Sequence, residues 1–391
     1  MLWPIMLVLD LDDIGKIENK RMIYKILALF LFLFTDILLY AQPDSIVKHK
    51  RGIELNYLNG HIFDHRHTLS NSLTNNVNAF EIKYSLFRNK NTQWQKFYNQ
   101  TNFGYGLYYA NLMNNNVLGK IVAPYFFSEF TLFSTNKMQS FINVGFGLSY
   151  LNRPFNPDNN YYNISIGSNV NSYLDFSTGL VFNFLPQLNI TTGLVFHHFS
   201  NGNVKEPNLG INVVSAQIGL MYSNVTLEKN TDRILEEKQS HGFYSEIISA
   251  YGIKSLEPAN EVLYFTSSQI IDFAYLFNAG MSSGLGLDIF YDTSLRRKYA
   301  NQQYTANKPS EYMYYGLHGS FNFHFGRFAV PLHFGYILFP DYKPMFRRFM
   351  RLGIRYFVTD KLCFNVSIKA QRMTADYLEW GLGWRLFSTN Y

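Results

Sequence analysis

The sequence predicts an all-β chain. It is read as a transmembrane antiparallel β-barrel of about 16 strands, arranged as two eight-strand repeats that close as a single barrel or as two tandem barrels. Three observations carry this reading. Aromatic residues make up 18% of the 391 residues, with 29 Tyr and 36 Phe, while charged residues are only 16%. The mean hydropathy is nevertheless slightly negative, which excludes a bundle of transmembrane helices and suits strands whose apolar and polar faces average out. Alternation of that kind recurs along the chain, and the second half repeats features of the first. A strand-rich soluble sandwich is the bland alternative. A long β-solenoid fits less well, because the segments lack a short fixed period.

In chain order, residues 1–41 read as a signal peptide preceded by an N-terminal extension. "NKRMIYKILALFLFLFTDILLYAQ" places Lys20, Arg21 and Lys25 before an apolar stretch and a small residue, Ala41. Cleavage is placed between Ala41 and Gln42, and Met22 is an alternative start. Residues 42–225 then form a first barrel unit, with strands expected to begin near 52, 78, 101, 119, 140, 171, 188 and 210. "FEIKYSLF", "INVGFGLSYL", "LNITTGLVFHH" and "INVVSAQIGLMY" each alternate over about the 9–11 residues a tilted membrane strand needs. Polar or Pro-containing breaks such as "MNNN", "NRPFNPDNN" and "NGNVKEPN" separate them. A polar linker, "TLEKNTDRILEEKQS" (226–240), leads to a second, degenerate unit over 241–391. Its strands are expected near 241, 262, 283, 311, 328, 348, 362 and 375, ending in the alternating aromatic run "WGLGWRLF".

The stretch "VFHHFSNGNVKEPNLGIN" (195–212) is unusually polar for a strand end. Side chains on a strand alternate between faces. One face therefore carries Ile190, Thr192, Leu194, Phe196, His198 and Ser200; it is the larger and more apolar, and is expected to meet lipid. The other carries Thr191, Val195, His197 and Phe199. On the next strand Asn212 shares a face with Val214, Ala216, Ile218 and Leu220. His198, Ser200 and Asn212 thus cluster at one end of two neighbouring strands, on the expected lipid side. With the chain ends periplasmic, that end is extracellular. His and Ser two residues apart stand about 6–7 Å apart along one face, so an imidazole can reach the hydroxyl as general base activation requires. A third group on the adjacent strand can hold the other ring nitrogen.

These residues resemble the active-site signature of the lipid A 3-O-deacylases of the outer membrane, the PagL family. That signature is His-x-Ser-Asn, then Pro-Asn-x-Gly-Ile after a short loop; here it reads His198-Phe199-Ser200-Asn201 and Pro207-Asn208-Leu209-Gly210-Ile211. The close match covers about 15 residues. It implies an eight-stranded barrel with Ser200 as nucleophile, His198 as general base, Asn208 in the oxyanion hole and Asn201 beside the nucleophile. The family's usual acid is a Glu where this chain has Asn212. An amide can still orient the imidazole, but it does not stabilise the imidazolium by charge. Glu206, in the loop, is a less favourable substitute.

The implied function is an integral serine esterase of the Gram-negative outer membrane. It would remove the ester-linked 3-position acyl chain of lipid A with no cofactor and no metal. The implied partners are lipopolysaccharide and the membrane; a homodimer is compatible with this reading. The net charge of +6 has no basic tract to match it, so no nucleic-acid role is expected. The alternative is a weak or inactive barrel with a lipid-binding, structural or pore role.

The remaining candidates have blander readings. His197 is expected inside, as a hydrogen-bonded lumen residue. His61, Asp64, His65 and His67 form a conceivable metal cluster without clean ligand spacing. Arg347, Arg348, Arg351 and Arg355 are expected as solvated charges at a strand end, with phosphate contact as the sharper alternative. Lumen-facing charge is expected to be sparse, with Glu81, Lys83 and Asp175 as the main early cases, which argues against a wide aqueous pore. The single cysteine, Cys363, is expected to be a small apolar filler.

Overall fold

The computed structural model describes residues 50–63, 76–87, 92–112, 114, 116–224, 241–258, 262–300, 308–338, 347–372 and 374–389. The signal segment, the 226–240 linker and Asp64, His65 and His67 of the histidine cluster lie outside the described residues. Sixteen antiparallel strands build two closed barrels of eight. The first contains β1 (Lys50–Ile62), β2 (Val77–Phe87), β3 (Gln100–Asn111), β4 (Lys120–Ser134), β5 (Met138–Leu151), β6 (Val170–Leu185), β7 (Leu188–Ser200) and β8 (Ile211–Ser223). The second contains β9 (Gly242–Lys254), β10 (Tyr264–Asn278), β11 (Met281–Asp292), β12 (Met313–Phe325), β13 (Phe328–Leu338), β14 (Arg348–Phe357), β15 (Leu362–Gln371) and β16 (Thr374–Ser388). Every start lies within two residues of its expected position.

Closure decides between one barrel and two. β8 returns to β1, with Ile53 opposite Tyr222 and Tyr57 opposite Ile218. β16 returns to β9, with Trp380 opposite Tyr251. Each barrel thereby pairs its own edge strands, and no backbone edge is left for lipid to cover.

Alternation sorts the side chains as a membrane barrel requires. Along β8, Val214, Ile218, Leu220 and Tyr222 are exposed while Val213, Ser215, Gln217 and Met221 are buried. The exposed residues of neighbouring strands, among them Leu55, Phe80, Ile82, Leu107, Val144, Phe176 and Leu194, continue the same apolar surface. In the second barrel Leu285, Leu287, Leu317, Phe321, Phe364, Trp380, Leu382 and Trp384 do likewise. An exposed apolar band of this extent is disfavoured in water and favoured in a bilayer.

Both lumens bury polar and charged side chains, and ion pairs among the charged ones lower the cost of burying them. In the first barrel Glu81 accepts from the Tyr125 hydroxyl at 2.6 Å and from Asn56 at 3.0 Å, and lies 3.3 Å from Lys83. His197 is fully buried, with Nδ1 2.8 Å from the Tyr173 hydroxyl and 3.3 Å from Asp175. Cys363 is buried with Ala329 and Phe357, as a filler should be.

The second lumen overturns two expectations. Arg351 and Arg355 are not solvated and do not face head groups: both are buried inside the barrel. Arg351 bonds Glu379 at 2.6 Å and Asp288 at 2.7 Å; Arg355 bonds Glu246 at 2.9 Å and Asp272 at 3.1 Å. Arg348, at the start of β14, is exposed. Interior charge is therefore dense in this half, in contrast to the first. His318 sits between Asp288 and Asp272, at 2.6 Å from each, and stacks on His333 at 4.2 Å. Asp272, His318 and His333 bring metal-ligand atoms within 4.8 Å of one another, but Arg355 and His318 already occupy both Asp272 oxygens.

A short helix, α1 (Gln93–Tyr98), joins β2 to β3 and touches the second barrel. Tyr98 stacks on Phe325 at 4.7 Å and its hydroxyl donates to the Gly280 carbonyl; Trp94 meets Phe325 edge-on.

Candidate active site

Strand register builds the site. β7 and β8 pair so that His198 stands directly opposite Asn212. Nδ1 of His198 lies 2.6 Å from Oδ1 of Asn212. A carbonyl oxygen only accepts, so Nδ1 donates in this pair, which in the neutral form of the ring leaves the lone pair on Nε2. His198 and Ser200 share one side of β7 by alternation. On that side Leu194 and Phe196 are exposed, whereas Ser200 and Asn212 are buried. The polar residues are thus enclosed where the strand leaves its apolar band.

The 201–210 loop encloses Ser200. Its Oγ lies 3.2 Å from Nδ2 of Asn208 and 3.3 Å from Oδ1 of the same amide. The Gly202 backbone N–H also donates to Oγ, at 3.2 Å. Asn208 is held in turn: its Oδ1 accepts the Asn201 N–H at 3.0 Å, and its own N–H donates to Glu206 Oε2 at 3.0 Å. The loop further leans on the β5–β6 connection. Asn201 Nδ2 donates to Ser168 Oγ at 2.9 Å and to the Lys205 carbonyl at 2.7 Å, while Gly210 N–H donates to the Ser165 carbonyl at 3.0 Å.

Two glycines are required here. Gly210 has φ +78°, and a Cβ there would come 3.1 Å from Cε1 of His198. Gly202 has φ +66°, and a Cβ there would come 2.8 Å from the Leu378 side chain. A left-handed backbone and a close neighbour both favour glycine.

The expected residues come together as two contacting groups, His198 with Asn212 and Ser200 with Asn208. The Asn201 carboxamide donors hold the loop, and its backbone N–H faces Asn208. Glu206 bonds the Asn208 backbone. Sequence reasoning expects backbone N–H groups near Asn208 to serve the oxyanion but does not single out that of Gly202, which lies beside Oγ. Its signal was present in "SNGN", where a glycine follows the serine by two residues in a turn-forming stretch.

Residues 79–221 match the family model described as "Lipid A 3-O-deacylase (PagL)", and residues 243–389 match "Acyloxyacyl hydrolase, C-terminal domain". No curated protein matches the chain in sequence. Among solved structures, the outer membrane enzyme PagL is similar at 18% identity and a TM-score of 0.29, over 42% of this chain and 97% of that one. The N-terminal β-barrel domain of Pseudomonas aeruginosa OprF is similar at 12% identity and a TM-score of 0.27, over 45% of this chain and 100% of that one. The two family matches fall on the two barrels, the first ending in β8 and the second spanning β9 to β16. The chain belongs to the lipid A 3-O-deacylase (PagL) family and is an integral barrel of the Gram-negative outer membrane.

Proposed function

We propose that the protein is a serine esterase that removes the 3-position hydroxyacyl chain from lipid A in the outer leaflet. The observation that carries this reading is the His198–Asn212 hydrogen bond, beside a serine whose Oγ lies among the Asn208 amide and the Gly202 N–H. Ser200 Oγ attacks the ester carbonyl and passes its proton to Nε2 of His198. Asn208 Nδ2 and the Gly202 N–H stabilise the oxyanion that forms beside Oγ. Collapse breaks the bond to the sugar oxygen, which takes the proton back from His198 and leaves as the alcohol. Water, deprotonated by His198, then attacks the acyl-Ser200 ester and releases the hydroxy fatty acid. Asn212 keeps the ring in the tautomer both steps need. The apolar outward residues Leu194, Phe196 and Val214 offer the acyl chain a lipid-like approach.

The competing reading, a barrel with weak or no catalysis, draws on Asn212, which supplies no negative charge to the imidazolium. The ion pairs that fill the second lumen, and the packed rings of Tyr108, Tyr125, Tyr173 and His197 in the first, speak against its pore version. Mass spectrometry of lipid A from cells expressing the wild type or Ser200→Ala tests the esterase. The wild type is expected to yield lipid A lighter by one hydroxyacyl chain and the variant to leave it intact. Identical lipid A from the two would sink the proposal.

A further inference from the structure

We infer that the second barrel positions the nucleophile loop of the first, through a clamp on Gly202 and Asn203; this rests on the reading of Ser200 as nucleophile. Gly202 links the two sides directly. Its N–H donates to Ser200 Oγ at 3.2 Å, and its carbonyl accepts the Leu378 N–H of β16 at 3.0 Å. Asn203 completes the hold. Its Nδ2 donates to the Asp376 carbonyl at 3.0 Å and to the Ser255 carbonyl at 3.4 Å, and its own carbonyl accepts the Ser255 N–H at 3.0 Å. Gly202 and Asn203 are both left-handed, with φ +66° and +69°. Gly takes this conformation freely and Asn more readily than most residues.

The second barrel's half of the clamp is anchored from inside its own lumen. Lys254, one residue before Ser255, reaches Asp292 at 2.6 Å and Asp376 at 2.9 Å. Lys369 reaches Asp376 at 2.8 Å. All four are buried. Asp376 has no partner in the β15–β16 ladder: Ala370 pairs with Ala375 and Lys369 with Tyr377. That bulge sends the carboxylate into the lumen while the carbonyl meets Asn203, which is how a bulge re-aims a side chain. A buried ion cluster of one barrel thus fixes the backbone donor that faces the nucleophile of the other. Positioning of this kind acts on the chemical step, because the Gly202 N–H is needed most where charge develops on the substrate oxygen.

The test uses the full chain with Asn203→Gly, which keeps the left-handed turn and removes both side-chain bonds. Asn203→Gln, which retains the carboxamide, is the conservative comparison. Heat-modified electrophoretic mobility checks that both fold. Steady-state deacylation of lipopolysaccharide in mixed micelles is expected to show kcat lower by about tenfold in Asn203→Gly, since small misplacements cost that much or more, with KM held and Asn203→Gln in between. Hydrogen exchange over residues 199–206 is expected to quicken in Asn203→Gly and to a lesser degree in Asn203→Gln. Unchanged kcat with unchanged exchange would overturn the inference, as would a raised KM at constant kcat. A wild type without deacylase activity sinks the reading of Ser200 instead, and the exchange arm then decides the clamp by itself.

Discussion

His198 and Asn212 face each other across β7 and β8, with Nδ1 2.6 Å from Oδ1. This places a neutral acceptor where the family signature carries a carboxylate. The amide selects the tautomer and fixes the ring but gives the imidazolium no opposing charge. Hydrogen bonds between ionised partners are about twice as strong as neutral ones. Asn212→Glu is therefore expected to raise kcat by about tenfold, near 1.4 kcal/mol of barrier. Asn212→Leu, which leaves Nδ1 without its acceptor, is expected to lower kcat by about a hundredfold. Steady-state kinetics on lipopolysaccharide check both directions. A faster Leu variant would remove Asn212 from the mechanism.

Asn208 is the side-chain donor beside Ser200 Oγ. Removing one oxyanion donor costs about 10²–10³ in kcat with little change in ground-state binding. Asn208→Ala is expected to behave in this way. Because the Asn208 carboxamide also accepts the Asn201 N–H, Asn208→Asp is the sharper comparison: it keeps the acceptor and loses the donor. Equal kcat in Asn208→Asp and the wild type would show that the donor is not used.

The second lumen makes a prediction about stability. Arg351 is wholly buried and holds Asp288 and Glu379. Breaking a buried ion pair by removing one partner costs about 3–5 kcal/mol, because the remaining charges stay desolvated. Arg351→Leu is therefore expected to lower the unfolding midpoint in urea sharply, as read by loss of heat-modified mobility. Arg348→Leu, at an exposed position on the same strand, is expected to change it little. Equal midpoints for the two variants would contradict the structural account of the lumen.

Much of the fold is legible in local pattern. Alternation along "TTGLVFHHFS" already divides His197 from His198, because successive side chains must point to opposite faces. Asn212 falls opposite His198 once the hairpin is set by the loop between them. Pattern does not say which strand closes on which: β8 pairs with β1, and nothing local to either distinguishes that from pairing with β9. Arg351 and Arg355 are four residues apart and so share one strand face, a sign of the lumen that is easily mistaken for a basic strand end. Their partners Glu246, Asp272, Asp288 and Glu379 come from four other strands. The contact between Gly202 and Leu378 joins residues far apart in sequence by backbone groups, and backbone groups leave no residue-type signature.

A nucleophilic Ser200 must show itself in the product released from lipid A. The most direct test is the release of free 3-hydroxy fatty acid by the purified full chain from vesicles containing lipopolysaccharide. The wild type is expected to release one hydroxyacyl chain per lipid A. Ser200→Ala, folded by the same mobility criterion, is expected to retain less than about a thousandth of that rate. Equal release by the two proteins, or none by the wild type, would rule out Ser200 as the nucleophile of a lipid A deacylase.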